Sequence, residues 1–323
     1  MKNILFRWEA ALFLMLVAEL AVFGYVNPRF LNVGNLVYGT SDFVQIGIVA
    51  LPLTLVIIAG GIDVSFASAI GLCAIVFGVS NFFGLPLPLA IGLSLVAGAL
   101  AGLLNATVIH LSKIQPLVVT LGSLYLFQGA ATVLSGVVGA GGYEGIGNFP
   151  ASFTSSGYAE FLGLAAVLVV LLHFTRFGRA VFLVGQSAEA ARYSGLSVAT
   201  TQTITYVITG VCAAIAGLVM SAYFGSARVD LGASTLLPAV TAAVLGGASI
   251  YGGQGSILGT LLATFVIGYL QQGLQASGVP SQISSALSGG LLVAAVALRH
   301  GSALLADFIA VARQKRNDRA TAS

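Results

Sequence analysis

Apolar residues run through this chain in blocks about as long as a bilayer crossing, separated by short polar breaks. Taking about 20 apolar residues per crossing, ten helical segments are predicted, at roughly 9–26, 43–59, 66–80, 86–109, 116–136, 158–174, 204–223, 235–247, 257–273 and 282–298. The stretch from Leu236 to Gly247 is the weakest and reads as a bent or partial crossing. The longest polar interruption is Thr175 to Gln202, TRFGRAVFLVGQSAEAARYSGLSVATTQ. It carries the marks of a short capped helix: Ser187 as N-cap, Glu189 in the first turn, Arg192 in the last and Gly195 as the stop. A two-turn helix is marginal alone in water. It must dock, on the membrane face of its own chain or on a soluble partner.

Composition sharpens this into a class. With 323 residues, 58% hydrophobic and 7% charged, and a mean hydropathy of +1.01, the chain reads as an all-α, polytopic transmembrane helical bundle. No stretch outside the spans reaches about 50 residues, the lower bound for an ordinary soluble domain. Residues 1–323 therefore form a single transmembrane domain with a loop at about 175–203 and a tail at about 299–323. The apolar run behind Lys2 and Arg7 lacks a convincing cleavage site and reads as a retained first helix.

Ten spans put both termini on one side. With the termini cytoplasmic, Lys2, Arg7, Lys113, Arg176, Arg179, Arg192, Arg299, Arg313, Lys315, Arg316 and Arg319 fall inside, and only Arg29 and Arg228 fall outside. That bias follows the positive-inside rule. The net charge of +3 is thus a topology signal and not a nucleic-acid footprint. Cys73 and Cys212 lie in apolar segments, where cysteine behaves as a small hydrophobe. His110, His173 and His300 stand at helix C-termini, where a cationic or hydrogen-bonding group is welcome.

Catalytic signatures are missing from the sequence. There is no GxxxxGK[ST] phosphate loop, no HExxH and no GxSxG. The chain is not an enzyme by this reading, and any ATPase must be another polypeptide. Asp63 and Ser65, at the start of the third span, read either as a helix cap or as the mouth of a translocation path. Asn105, Thr120, Ser123, Gln271 and Gln272 need partners away from water, or line a route for a hydroxylated solute. Glu19 is the one acid well inside a span, so an ion-coupled secondary transporter would have to rest on it.

Glycine, 41 residues in all, runs through the spans, as at Gly98 and Gly102 in GALAG, where close helix packing is expected. Two glycine turns resemble each other: Gly60-Gly61-Ile62-Asp63-Val64-Ser65, and Gly246-Gly247 through Gly252-Gly253-Gln254-Gly255-Ser256.

Four motifs together carry a resemblance: GGIDVS at Gly60 to Ser65, GLLNATVIHLSKIQPLVVTLGSLY at Gly102 to Tyr125, TRFGRAVFLVGQSAEAARYSGLSV in the polar stretch, and LGGASIYGGQGSILGT at Leu245 to Thr260. The chain resembles the ribose/galactoside-type permease family of bacterial ABC importers, over nearly its whole length. Four further stretches resemble the autoinducer-2 branch of that family: TSDFVQIGIVALPLT at Thr40 to Thr54, GYEGIGNFP at Gly142 to Pro150, YFGSARVDLGAS at Tyr223 to Ser234, and GYLQQGLQASGVPSQISSALSG at Gly268 to Gly289.

The resemblance implies an inner-membrane permease with no cofactor. Its partners would be a related second permease subunit in a heterodimer, a cytoplasmic ABC ATPase and a periplasmic solute-binding protein, and its cargo a small neutral solute. It also implies that Glu189, Arg192 and Gly195 sit on the helix that contacts the ATPase. Ribose or another simple sugar is the alternative cargo. The chain departs from the commoner sugar-permease pattern at Phe66-Ala67 and at Gln186-Ser187, which bear on the helix start after GGIDVS and on the ATPase contacts.

Overall fold

The computed structural model describes residues 2–139 and 145–280, with residues 283, 286, 287, 289, 290 and 293 beyond them. Most of the tenth segment, the C-terminal tail and His300 lie outside the described residues. Among the described residues up to 280, twelve α-helices form: α1 (Lys2–Val26), α2 (Val33–Thr40), α3 (Val44–Ile58), α4 (Phe66–Phe82), α5 (Leu87–Ser112), α6 (Pro116–Gly136), α7 (Tyr158–Phe174), α8 (Arg176–Gln186), α9 (Ala188–Tyr193), α10 (Val198–Phe224), α11 (Leu236–Leu245) and α12 (Ile257–Ala276). Among the described residues the only β-pairing is an isolated bridge between Ile146 and Ala227.

Five of these helices, α1, α5, α6, α10 and α12, are long and apolar enough to cross a membrane, which makes this a multi-pass bundle. The pairs α2–α3 and α7–α8 also pass as spans, bent by 56° and 69°, while α4 and the stretch Ala233–Leu245 are shorter apolar helices. Nine of the ten apolar segments read from the sequence coincide with α1, α3, α4, α5, α6, α7, α10, α11 and α12.

At the centre is α3, whose every residue but Gln45 is buried. A helix apolar on all sides has no outward face. It is enclosed by α7, α10, α11 and α12. The closest seam is α5 on α10. A side chain on Gly98 would run into the carbonyl of Gly210, and one on Gly102 into that of Tyr206. Lipid tails are as apolar as leucine, so helices in a bilayer associate through such backbone approach.

Polar contacts sort the helix ends into two groups. At one end Trp8 Nε1 donates to the Leu245 carbonyl (2.7 Å), Ser256 Oγ donates to Glu9, and Gln202 Nε2 donates to the Ala59 carbonyl (3.1 Å). At the far end Tyr223 Oη donates to Asp42, Thr40 pairs with Tyr269 (3.0 Å), and Phe77 packs on Phe149 and Phe153.

The polar stretch 175–202 holds two helices and not only the short capped one. Thr175 turns the chain after α7, its hydroxyl accepting from Gly178 N (3.2 Å), and α8 follows with Gly178, Val181 and Val184 buried. Its arginines mask that apolar stripe in composition, but a three-residue spacing is enough to face the core. At the far end of the bundle, residues 225–235 leave α10 without helical structure, apart from a short 3-10 turn at Ala233–Thr235, before α11 begins.

Candidate functional site

The capped helix expected in the polar stretch is α9. Ser187 Oγ accepts from Ala190 N (3.1 Å), Glu189 lies in its first turn, Arg192 in its last, and Gly195 follows at φ +79°. Acid at the N-terminus and base at the C-terminus complement the helix dipole. Ser187 therefore caps α9 although it stands at one of the two places where the chain departs from the commoner sugar-permease pattern. Ala191 anchors the helix, packing with Val184 and Val198, and the half-buried Ala188 and Leu196 pack against the same cluster. Glu189, Arg192 and Gly195 are exposed, and so is Tyr193.

Beneath α9 the two glycine turns meet. Gly253 N donates to the Ile58 carbonyl at the end of α3 (2.8 Å), and Gly252 lies against Gly60. Gly185 of α8 closes the cluster, because a Cβ there would overlap the Ile58 carbonyl and the Gly253 amide. Tyr251, on the second turn, is exposed beside it. Exposed aromatic side chains rimmed by polar and charged ones are the usual surface of a protein contact.

The first turn is also held from inside the bundle. Gly60, at φ +81°, stops α3, and Gly61 N returns to the Val56 carbonyl (2.9 Å). Asp63 Oδ1 accepts from Ser65 N (2.9 Å) and Ser65 Oγ (2.7 Å), and Asn105 Nδ2 of α5 donates to Ser65 Oγ (2.7 Å). The Ile62 carbonyl accepts from Thr120 of α6 (3.2 Å) and Tyr206 of α10 (3.4 Å). Asp63 and Ser65 are buried, and Phe66 begins α4 fully packed, so the unusual Phe66-Ala67 does not disturb the helix start.

Asp63, Ser65 and Asn105 thus form one network, whereas Gln271 stands near the far end of α12, away from them. Gln202, Tyr206 and Gly185 complete the site without having been singled out, whereas Gly253 belongs to the second glycine turn read from the sequence. Their only signal in the sequence is a polar or small residue at a helix end. We expect Asp63→Ala to lower stability by about 2–3 kcal/mol, since a buried hydroxyl and amide lose their shared acceptor. Asp63→Asn should lose far less, because an amide oxygen accepts both bonds. Thermal unfolding of the purified variants in detergent reads the difference, and equal losses would contradict the cap.

Comparison with known proteins decides the lineage. The family model described as "Branched-chain amino acid transport system / permease component" matches residues 35–296. The chain belongs to that permease family. Among its relatives, the autoinducer 2 import system permease protein LsrD of Enterobacter sp. (strain 638) is 56% identical over 300 residues, covering 90% of this chain and 92% of the relative. The LsrD proteins of Escherichia coli (strain K12) and Shigella flexneri are each 55% identical over 304 residues, covering 91% and 92%.

Solved structures agree with the permease at the level of fold. PsaBC from Streptococcus pneumoniae in complex with Fab matches 85% of this chain and 94% of its own, with a TM-score of 0.51 at 17% identity. An inward-facing conformation of a putative metal-chelate type ABC transporter matches 91% and 99%, with a TM-score of 0.51 at 16% identity. The resemblance carried by the sequence motifs, to an importer permease of the autoinducer-2 branch, is the one these relatives bear.

Proposed function

We propose that this permease is the membrane-spanning subunit of an ATP-driven importer that carries autoinducer 2 across the bacterial inner membrane. The identity of more than half the residues to LsrD proteins, over nine-tenths of the chain, carries the cargo assignment. The exposed α9 on its glycine bed carries the mode of drive. It offers a soluble partner a preformed helix with charges at both ends that are exposed among the described residues. Glu189, Arg192 and Gly195 are the residues that meet the ATPase in this reading. Asp63, Ser65 and Asn105 hold the turn beneath, a structural role that their mutual hydrogen bonds favour over one in the path.

Ten crossings with both termini cytoplasmic is the topology that goes with it. The alternation of helix ends supports this reading, with Trp8 and Glu9 at the same end as α9 and Asp42 and Tyr223 at the other. Alternating access needs a second, related permease subunit, a cytoplasmic ATPase and a periplasmic solute-binding protein. In proteoliposomes holding all four, labelled autoinducer 2 should accumulate only with ATP at the ATPase side, and leaving out any one protein should abolish it. Uptake that persists without the ATPase, or that carries ribose and not autoinducer 2, would remove the assignment.

A further inference from the structure

Residues 225–235 descend into the bundle outside any α-helix, through a bridge at Ala227, turns at 229–232 and the 3-10 turn Ala233–Thr235. Ala227 and Ile146 exchange two backbone hydrogen bonds (2.9 Å each) beside Gly78 of α4. The Val229 carbonyl then lies against Gly71, and Gly232 against the Ala67 carbonyl and Ile70. Residues 227 to 232 thus run alongside eleven residues of α4, a span of about 16 Å at about 1.5 Å each. Gly217 of α10 packs on the other side of Ile70 and Ala74. It lies seven residues inside α10, which puts Val229 about 10 Å below that helix's end. From there α11 completes the passage: ten residues rise about 15 Å, half the hydrocarbon thickness, to the end where Trp8 meets Leu245.

The descending segment alternates. Ala227, Val229 and Leu231 are buried, while Arg228 and Asp230 project the other way, with side chains 40% and 27% exposed. They pair in a fork, Arg228 Nε donating to Asp230 Oδ1 at 2.9 Å and Nη2 to Oδ2 at 2.5 Å. Non-helical backbone at membrane depth is tolerated only inside protein or along a water-filled cavity, and a half-exposed ion pair there is expensive against lipid. One side of this segment meets protein. The other, half-exposed, would face water.

We infer that Arg228 and Asp230 line the aqueous route of the solute, and that they bind it through adjacent hydroxyl groups. This rests on the import reading given above. The pair is neutral as a unit, so it concentrates neither anions nor cations. Its guanidinium keeps outward N–H donors and its carboxylate keeps free lone pairs, set side by side. A neutral solute with vicinal hydroxyls supplies one acceptor and one donor at that spacing. Among the described residues this wall is open, and the second permease would face it.

Two measurements on the assembled transporter test the inference. Single cysteines at positions 227 to 231 are treated with a membrane-impermeant, charged thiol reagent from the far side. Native Cys73 and Cys212 are buried and give a silent background. Cysteines in place of Arg228 and Asp230 should react, those in place of Ala227, Val229 and Leu231 should not, and autoinducer 2 should slow the first two but not a control at exposed Asn32. Reaction without protection, or without alternation, would make the segment an ordinary surface loop and overturn the inference.

The second measurement is uptake by Asp230→Asn and Arg228→Gln, each expected to fall at least tenfold with assembly and basal ATP hydrolysis unchanged. The exchanged pair Arg228→Asp with Asp230→Arg should stay as low. Recovery by the exchange would reduce the pair to a structural link. Failure of the wild-type complex to import autoinducer 2 would strike the cargo assignment instead, and the cysteine pattern, which needs no transport, would still decide where the water runs.

Discussion

Leucine in place of Gly98 should leave little folded permease in the membrane. A Cβ at that position already overlaps the Gly210 carbonyl, and beyond it stands the Ala214 methyl. Both obstructions belong to α10, whose own Gly210 presses reciprocally on the Gly98 carbonyl. Neither backbone can yield without parting the two helices, and α10 is also packed on α3 and α4. Overpacking in a core costs about 1–3 kcal/mol when side chains can shift, and backbone meeting backbone should exceed that range. The measurement is the yield of monodisperse protein in detergent and its thermal midpoint. Gly92, on the same helix with open space around it, is the control: Gly92→Leu should change neither. Equal behaviour of the two variants would mean that the α5–α10 seam is not set by close approach.

Reversing the charges on α9, with Glu189→Lys and Arg192→Glu together, should cut ATP-driven uptake at least tenfold. The protein should stay folded. Its anchor is the apolar contact of Ala191 with Val184 and Val198, which the exchange does not touch. Opposing the helix dipole costs roughly 0.3–1 kcal/mol at an exposed site, too little to unfold a bundle of this size. What changes is the surface offered to the ATPase, where like charges would meet if the partner is complementary. Uptake, ATP hydrolysis and co-purification of the ATPase are read side by side. Normal uptake in the double variant would end the role given to Glu189 and Arg192. Ser187→Ala, which removes the N-cap, should have a milder effect of about 1 kcal/mol on the local helix.

Particular residues show why some of this was legible in the sequence. Ser187, Glu189, Arg192 and Gly195 announce a helix because capping and dipole effects act within one turn, between neighbours in the chain. The apolar segments announce spans for the same reason, since burial of a block about 20 residues long needs no knowledge of its partners. The α8 stripe was harder, because Arg176 and Arg179 disguise three buried positions in a segment whose mean composition is polar. Asn105 was recognisable as a polar group needing a partner, but nothing local pointed to Ser65, forty residues away.

Fold class, the membrane setting, the order of spans and the capped helix were therefore determined by the sequence alone, all of them through interactions of short range. Tertiary structure decided the rest. It brought Gly60, Gly185 and Gly253 to one point, where missing side chains let three backbone segments touch. It also laid residues 225–235, which join two predicted spans, into a descent beside α4 that buries Ala227, Val229 and Leu231 and leaves Arg228 and Asp230 half-exposed. That descent exists because Gly71 and Gly78 leave a groove in which the Val229 carbonyl and Ala227 can lie against the helix. A groove is a property of two surfaces, and a linear pattern describes only one of them.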